Sequence, residues 1–160
     1  MCGITGYIGY KKAAPILMKG LKRLEYRGYD SSGIAVQSLN KIQYFKKRGK
    51  ISELQKLISN DPISGSIGIA HTRWATHGSP TNLNSHPHLN ESGTIAVVHN
   101  GIIENYRPIK ETLIKKGVSF KSETDTEVLA HLISTIYYQE KKISLKDSVR
   151  AALQEVVGTY

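Results

Sequence analysis

Apolar residues recur along this chain at two spacings, and the switches between them mark short elements. Ile4 to Ile8 is a β-rich run that begins almost at the first residue, so the N-terminus is expected to be held in a sheet. Ala14, Leu17, Met18, Leu21 and Leu24 follow at helical spacing, with Pro15 tolerated because it falls in the first turn. Residues 27–33, rich in Gly, Asp and Ser, read as a loop. They lead into Ile34–Gln37 and, across an Asn-Lys turn, Ile42–Phe45, a pair of runs that predicts a hairpin. Ile51, Leu54, Leu57 and Ile58 mark a short helix ending before Pro62, and Ile67–Ala70 reads as a buried strand.

Residues 71–92 interrupt the pattern. They hold four of the six histidines, the only Trp and two Pro, and a loop of that length inside a compact domain is usually functional. Thr94–Val98 then reads as a strand with Asn100-Gly101 at its end, where sheets often place their chemistry. A helix through Ile109 and Leu113 stops at Gly117. Thr124-x-x-Glu127 has the form of a capping box and predicts a helix whose stripe is Val128, Leu129, Leu132, Ile133 and Ile136, with Asp125 in its first turn. Ser144-x-x-Asp147 opens another, through Leu145, Val149, Ala152, Leu153 and Val156. Gly158-Thr159-Tyr160 reads as a turn into a further strand, so the chain is expected to be a fragment of a longer polypeptide. Hairpin-like strands beside grouped helices predict an α+β fold with antiparallel sheet.

Composition narrows the class. The chain has 160 residues, enough for one domain with a substantial core, and 39% hydrophobic content. No signal-like segment and no apolar run of membrane-spanning length is present, so a cytoplasmic, membrane-free chain is expected. The net charge of +9 would suit an anionic partner. The basic residues are scattered, however, apart from Lys46-Lys47-Arg48-Gly49-Lys50, and solvated helix ends explain them better than nucleic-acid binding does. A single Cys excludes an intramolecular disulfide and a Cys-rich zinc cage.

That cysteine is the second residue. Removal of Met1 would leave Cys2 with both a thiol and a free α-amine, whose ordinary pKa values of about 8.5 and about 8 let the amine take the thiol proton near neutral pH. By position alone, a buried or incidental terminal Cys is the favoured reading.

The motifs tip the balance. Met1-Cys2-Gly3-Ile4-Thr5-Gly6 resembles the N-terminus of class II glutamine amidotransferases, a family of N-terminal-nucleophile hydrolases. Arg23–Gly33, His71-Thr72-Arg73-Trp74-Ala75-Thr76-His77-Gly78, Asn84–His88, His99–Asn105 and Ser122–Glu127 are similar, in order, to the members of that family that aminate fructose 6-phosphate. The resemblance implies the four-layer αββα sandwich of that hydrolase type, cut short at its C-terminal end. It implies an incomplete glutaminase domain over residues 1–160, with the sugar-phosphate isomerase domains absent. It also implies a cytoplasmic enzyme that is a homo-oligomer when full length and needs no cofactor.

Roles follow by the same resemblance. Cys2 would attack the side-chain amide of L-glutamine, releasing ammonia and then glutamate. Asn100 and Gly101 would form the oxyanion hole, although Asn-Gly by itself is a common turn. Arg73 would clamp the substrate α-carboxylate, a task for a planar bidentate donor, and Asp125 its α-ammonium, beside the bland role of a charge in a helix's first turn. Thr76 and His77 would line the glutamine pocket, and Trp74 would gate a channel for ammonia, or else be ordinary core. Relatives using phosphoribosyl pyrophosphate or making asparagine or glutamate are a second reading, and a catalytically silent binding domain is a third. His86-x-His88 with His71, His77 or His99 also suggests a metal site or a Cys-His dyad, but no carboxylate or Cys stands at ligand spacing, and no metal is expected. Gly3-x-x-Gly6-x-x-Gly9 lacks the spacing of a dinucleotide loop.

Overall fold

The structure, a computed structural model, describes residues 2–39, 41–74, 79–139 and 143–160. The chain enters through β1 (Gly3–Ile8), α1 (Ala13–Leu24), a 3₁₀ turn (Glu25–Arg27), the hairpin β2 (Ser31–Ser38) and β3 (Lys41–Arg48), α2 (Ile51–Asn60) and β4 (Ile67–Arg73). The four strands form one antiparallel sheet in the order β1-β4-β2-β3. Successive strand residues point to opposite faces, and the face carrying Ile34, Val36 and Ala70 lies under α1 and α2. Leu17, Met18 and Leu21 of α1 meet Ile51, Leu54 and Ile58 of α2 there, all buried. Their spacing is the helical stripe legible in the sequence.

Beyond the other face lie two ribbons, β5 (His88–Leu89) with β6 (Ala96–Val97), and β7 (Ile102–Ile103) with β8 (Gly158–Thr159). From β7 the chain passes through α3 (Tyr106–Lys115) to α4 (Asp125–Gln139), which covers the ribbons, and α5 (Leu145–Glu155) packs on α4. Ile95, Ile103, Leu129, Ile133, Ala152 and Val156 make a second core. Helices, sheet, ribbons and helices therefore succeed one another, an α+β architecture with every strand pair antiparallel, as expected. Among the described residues no helix is long and apolar enough to cross a membrane.

Several expected boundaries move. Ser31, Ser32 and Gly33, expected in a loop, are strand residues, because β2 pairs on both sides and that ladder overrides local Ser and Gly preference. β4 runs on to Arg73 instead of ending at Ala70, so His71 and Arg73 belong to the sheet and not to the loop. The expected strand at Thr94–Val98 shortens to β6, because Asn90 Oδ1 accepts from the Thr94 and Ile95 N–H groups in a tight turn. Gly158-Thr159 is itself a strand and not an open turn. Ser144 caps α5 as expected, accepting from the Asp147 N–H at 3.1 Å. At α4 the box is replaced: the Thr124 N–H donates to Ser122 Oγ, and Glu127 reaches back to the Lys121 and Ser122 N–H groups. Asn40 of the hairpin turn lies outside the described residues.

Candidate active site

β4 positions the site. Ala70 and Thr72 face the helices, so by alternation Ile67, Ile69, His71 and Arg73 face the ribbons. β1 runs antiparallel beside it, which sets Cys2 next to the strand's end. There the Trp74 N–H donates to Cys2 Sγ at 3.3 Å, and the thiol in turn lies 3.6 Å from the Trp74 carbonyl. Trp74 itself is 45% exposed and meets the edge of Tyr29 at 5.9 Å, which excludes ordinary core for this residue.

The opposite wall comes from the ribbons. Asn100 follows β6, and its Nδ2 donates to the Cys2 carbonyl at 3.4 Å while Oδ1 lies 2.9 Å from His71 Nε2. Gly101 has φ +155°, and a Cβ there would sit 1.9 Å from the Thr159 carbonyl of β8, so only glycine fits. Asp125 opens α4 and is buried, its Oδ2 accepting from the Ile103 N–H at 2.8 Å. Burial lowers the Arg73 pKa, and the nearby Cys2, Asp125 and Asp30 oppose that shift. Cys2, Arg73, Trp74, Asn100, Gly101 and Asp125 thus line one cavity of about 380 Å³.

A larger groove of about 510 Å³ runs between Ala35, Ile67 and Ile69 of the sheet and Thr94–Ala96. Its lining is mainly apolar, whereas the smaller cavity brings a thiol, a guanidinium and a carboxylate together, so reaction chemistry converges there.

Behind the cavity the histidines stack instead of converging. His71 and His86 lie parallel at 4.2 Å, His86 meets His88 edge-on at 4.7 Å, and His88 Nε2 lies 3.0 Å from Thr124 Oγ1. Burial lowers the His71 pKa to about 4, against the opposing influence of Asn100 and of the His99 backbone. Burial and neighbouring positive charge lower His88 to about 3 and push His86 well below its usual value. All three are neutral near pH 7, so the fixed positive charge of the cavity comes from Arg73 and Arg27, which both line it. Glu127 behaves oppositely. Burial opposes its ionisation, but His131, Ser122 and the Lys121 and Ser122 N–H groups outweigh that and lower it to about 2. Among the described residues no group of His, Cys, Asp and Glu side chains is placed to hold a metal.

Two loops are tied behind Arg73 and Asp125 by residues that spacing alone did not mark. Buried Asn84 donates to the Ser79 carbonyl and to Glu123 Oε2, each at 3.0 Å, and accepts from the Glu123 N–H at 3.0 Å. Lys46 Nζ donates to the Leu83 carbonyl at 2.9 Å, and the Arg48 N–H to Asn82 Oδ1 at 2.7 Å. A lysine on the ribbon-facing side of β3, part-buried beside core-packed Phe45, is the available signal for that anchor. Thr76 and His77 lie outside the described residues.

A cysteine heading the first strand of a sheet, faced by an Asn-Gly pair, with helices on both outer sides, is the arrangement of N-terminal-nucleophile amidotransferases. Residues 59–141 match the family described as glutamine amidotransferase domain, and the chain belongs to that family. The Bacillus subtilis glutamine phosphoribosylpyrophosphate amidotransferase, solved with ADP and GMP, superposes with a TM-score of 0.80 at 30% identity, over 99% of this chain and 33% of that one. A structure described as the allosteric regulatory enzyme of purine biosynthesis gives 0.83 at 31% identity, over 99% and 34%. In sequence, glutamine–fructose-6-phosphate aminotransferase (isomerizing) of Clostridium perfringens is 54% identical over the whole chain, and that of Bacteroides thetaiotaomicron 55%. The chain spans 26% of the length of each of these two relatives.

Proposed function

We propose that this chain hydrolyses glutamine to glutamate and ammonia, as the glutaminase unit of a longer enzyme that aminates fructose 6-phosphate to glucosamine 6-phosphate. The observation that carries the glutaminase reading is the convergence of Cys2, Asn100, Gly101, Arg73 and Asp125 on one cavity. With Met1 removed, the α-amine of Cys2 accepts the thiol proton, and the thiolate attacks the δ-carbonyl of glutamine. The tetrahedral oxyanion is met by the Asn100 Nδ2–H and the Gly101 N–H. Its collapse breaks the C–N bond, the proton passes to the leaving nitrogen, and ammonia departs. Water then opens the γ-glutamyl thioester, giving glutamate and restoring the thiol.

Arg73 pairs with the substrate carboxylate and Asp125 with its ammonium, so the ends of the amino acid are told apart by opposite charges on opposite walls. Thr76 and His77 complete the pocket, and half-exposed Trp74, whose backbone already contacts the thiol, gates the exit of ammonia. The fructose 6-phosphate acceptor is supported by the relatives' identity over the whole chain, and its site belongs to the length of those relatives that this chain does not span. A cytoplasmic homo-oligomer is the corresponding setting for the full-length enzyme.

Labelling with a glutamine-analogue electrophile followed by mass spectrometry tests the core of this reading. One adduct on an N-terminal Cys2 is expected, and none on protein that retains Met1. Labelling elsewhere, or of the Met1 form, would defeat it.

A further inference from the structure

His71 is buried, faces the cavity wall and has no part in the chemistry above. Its Nε2 lies 2.9 Å from Asn100 Oδ1. The Asn100 amide has two ways to sit, and only one places an N–H against the Cys2 carbonyl. Turned over, Oδ1 would face that carbonyl with no hydrogen between two acceptors. Oδ1 is therefore on the His71 side, and Nε2 must carry the hydrogen that joins them. Nδ1, which has no partner among the described residues, holds the lone pair of that tautomer.

The ring is also held in plane. Its cross-strand neighbour in β2 is Gly33, and a Cβ there would lie 2.1 Å from the His86 carbonyl. The missing side chain lets residue 86 come down on the sheet, and the His86 ring stacks on His71 with only 14° between their planes. An oxyanion donor is effective when its direction is set before charge develops, because no reorganisation is then needed in the transition state. An unheld asparagine amide would sample both orientations.

We propose that His71 is the positioning residue of the oxyanion hole: its Nε2–H locks Asn100 Oδ1 so that Nδ2 stays turned toward Cys2, with Gly33 and His86 clamping the ring. This rests on the oxyanion reading of Asn100, and the test separates the two. In the full-length protein, kcat and KM for glutamine hydrolysis are measured for Asn100→Ala, His71→Phe, their double variant, and the near-isosteric pair His71→Gln and His71→Met. Phe keeps a stacked ring without a donor, Gln returns an amide N–H, and Met does not.

His71→Phe is expected to lower kcat about 30-fold, within the range for lost outer-shell support, with KM changed less than about threefold. His71→Gln should recover most of that rate and His71→Met should not, and the double variant should be no slower than Asn100→Ala alone. Equal rates for the Gln and Met variants, a loss confined to KM, or losses that add in the double variant would overturn the positioning role. If His71→Phe does not fold, the Gln-to-Met ratio decides by itself. An Asn100→Ala enzyme as fast as the parent would instead defeat the oxyanion reading beneath it.

Discussion

The two faces of the four-stranded sheet are made by the same strands and have opposite characters. Toward α1 and α2 the central strands β2 and β4 present apolar or small residues, and Ile34, Val36 and Ala70 close a core with Leu17, Leu21 and Leu54. Toward the ribbons, the alternate positions of β4 change from Ile67 and Ile69 to His71 and Arg73 as the strand approaches Cys2. One face can be optimised for burial because the other carries the polar groups. A two-residue period thus separates stability from chemistry at the scale of a single side chain.

The largest expected effect is on the chemical face. Cys2→Ala should cut glutamine hydrolysis by about 10⁴-fold or more, with a thermal midpoint within a degree or two of the parent. Glutamate release at the parent rate would end the assignment. Leu21→Ala breaks the comparison from the other side. Fully buried in the helix-facing core, it should lose about 2–5 kcal/mol in denaturant unfolding, while kcat/KM of the folded fraction stays within about twofold. A large kcat/KM defect would mean the two faces are mechanically coupled.

Acid sharpens the contrast with a smaller and graded effect. The folded pKa values of His71 and His88 are lowered, to about 4 and about 3, so the unfolded chain binds more protons wherever the pH lies between those values and about 6.5. Their contribution to stability is whole above about pH 6.5 and is lost as pH falls through that window, by up to about 1.4 kcal/mol per unit for each ring. Unfolding free energy measured from pH 7 to pH 4.5 should therefore fall more steeply in the parent than in His88→Gln. Parallel curves would remove the histidine stack as the cause.

Much of this was legible in the sequence, and the exceptions have physical causes. The stripe of α1 is legible in the sequence because local spacing determines which face of a one-sided helix is buried, whereas α4 is buried all round over residues 125–131 and Leu145, expected in the stripe of α5, is exposed at the helix start. Ser31-Ser32-Gly33 has loop-like residues yet forms strand, because a central strand's ladder on both sides outweighs them and pairing is not a local property. The Thr124-x-x-Glu127 signature marked the right helix but the wrong hydrogen bonds, since Ser122 and Lys121 compete for the same carboxylate. Cys2, Arg73, Asn100, Gly101 and Asp125 could be named as candidates through family likeness. The histidine stack could not, because contacts among residues 71, 86, 88 and 124 exist only once β4 and the ribbons face each other.

The contact between Gly101 and β8 has a further consequence, for the order in which the protein is made. The Thr159 carbonyl accepts from His99 Nε2 at 2.9 Å and closes over Gly101, while Thr159 Oγ1 accepts from the Ile102 N–H at 3.0 Å. A polypeptide synthesised only as far as Asp125 already contains its nucleophile and both proposed substrate-binding charges. It still lacks the strand that seats the Asn-Gly turn. The ribosome therefore delivers the thiol first and the segment that braces its partner about 160 residues later, so this high-contact-order site is among the last parts to close and a nascent chain holds the reactive residue without a working centre.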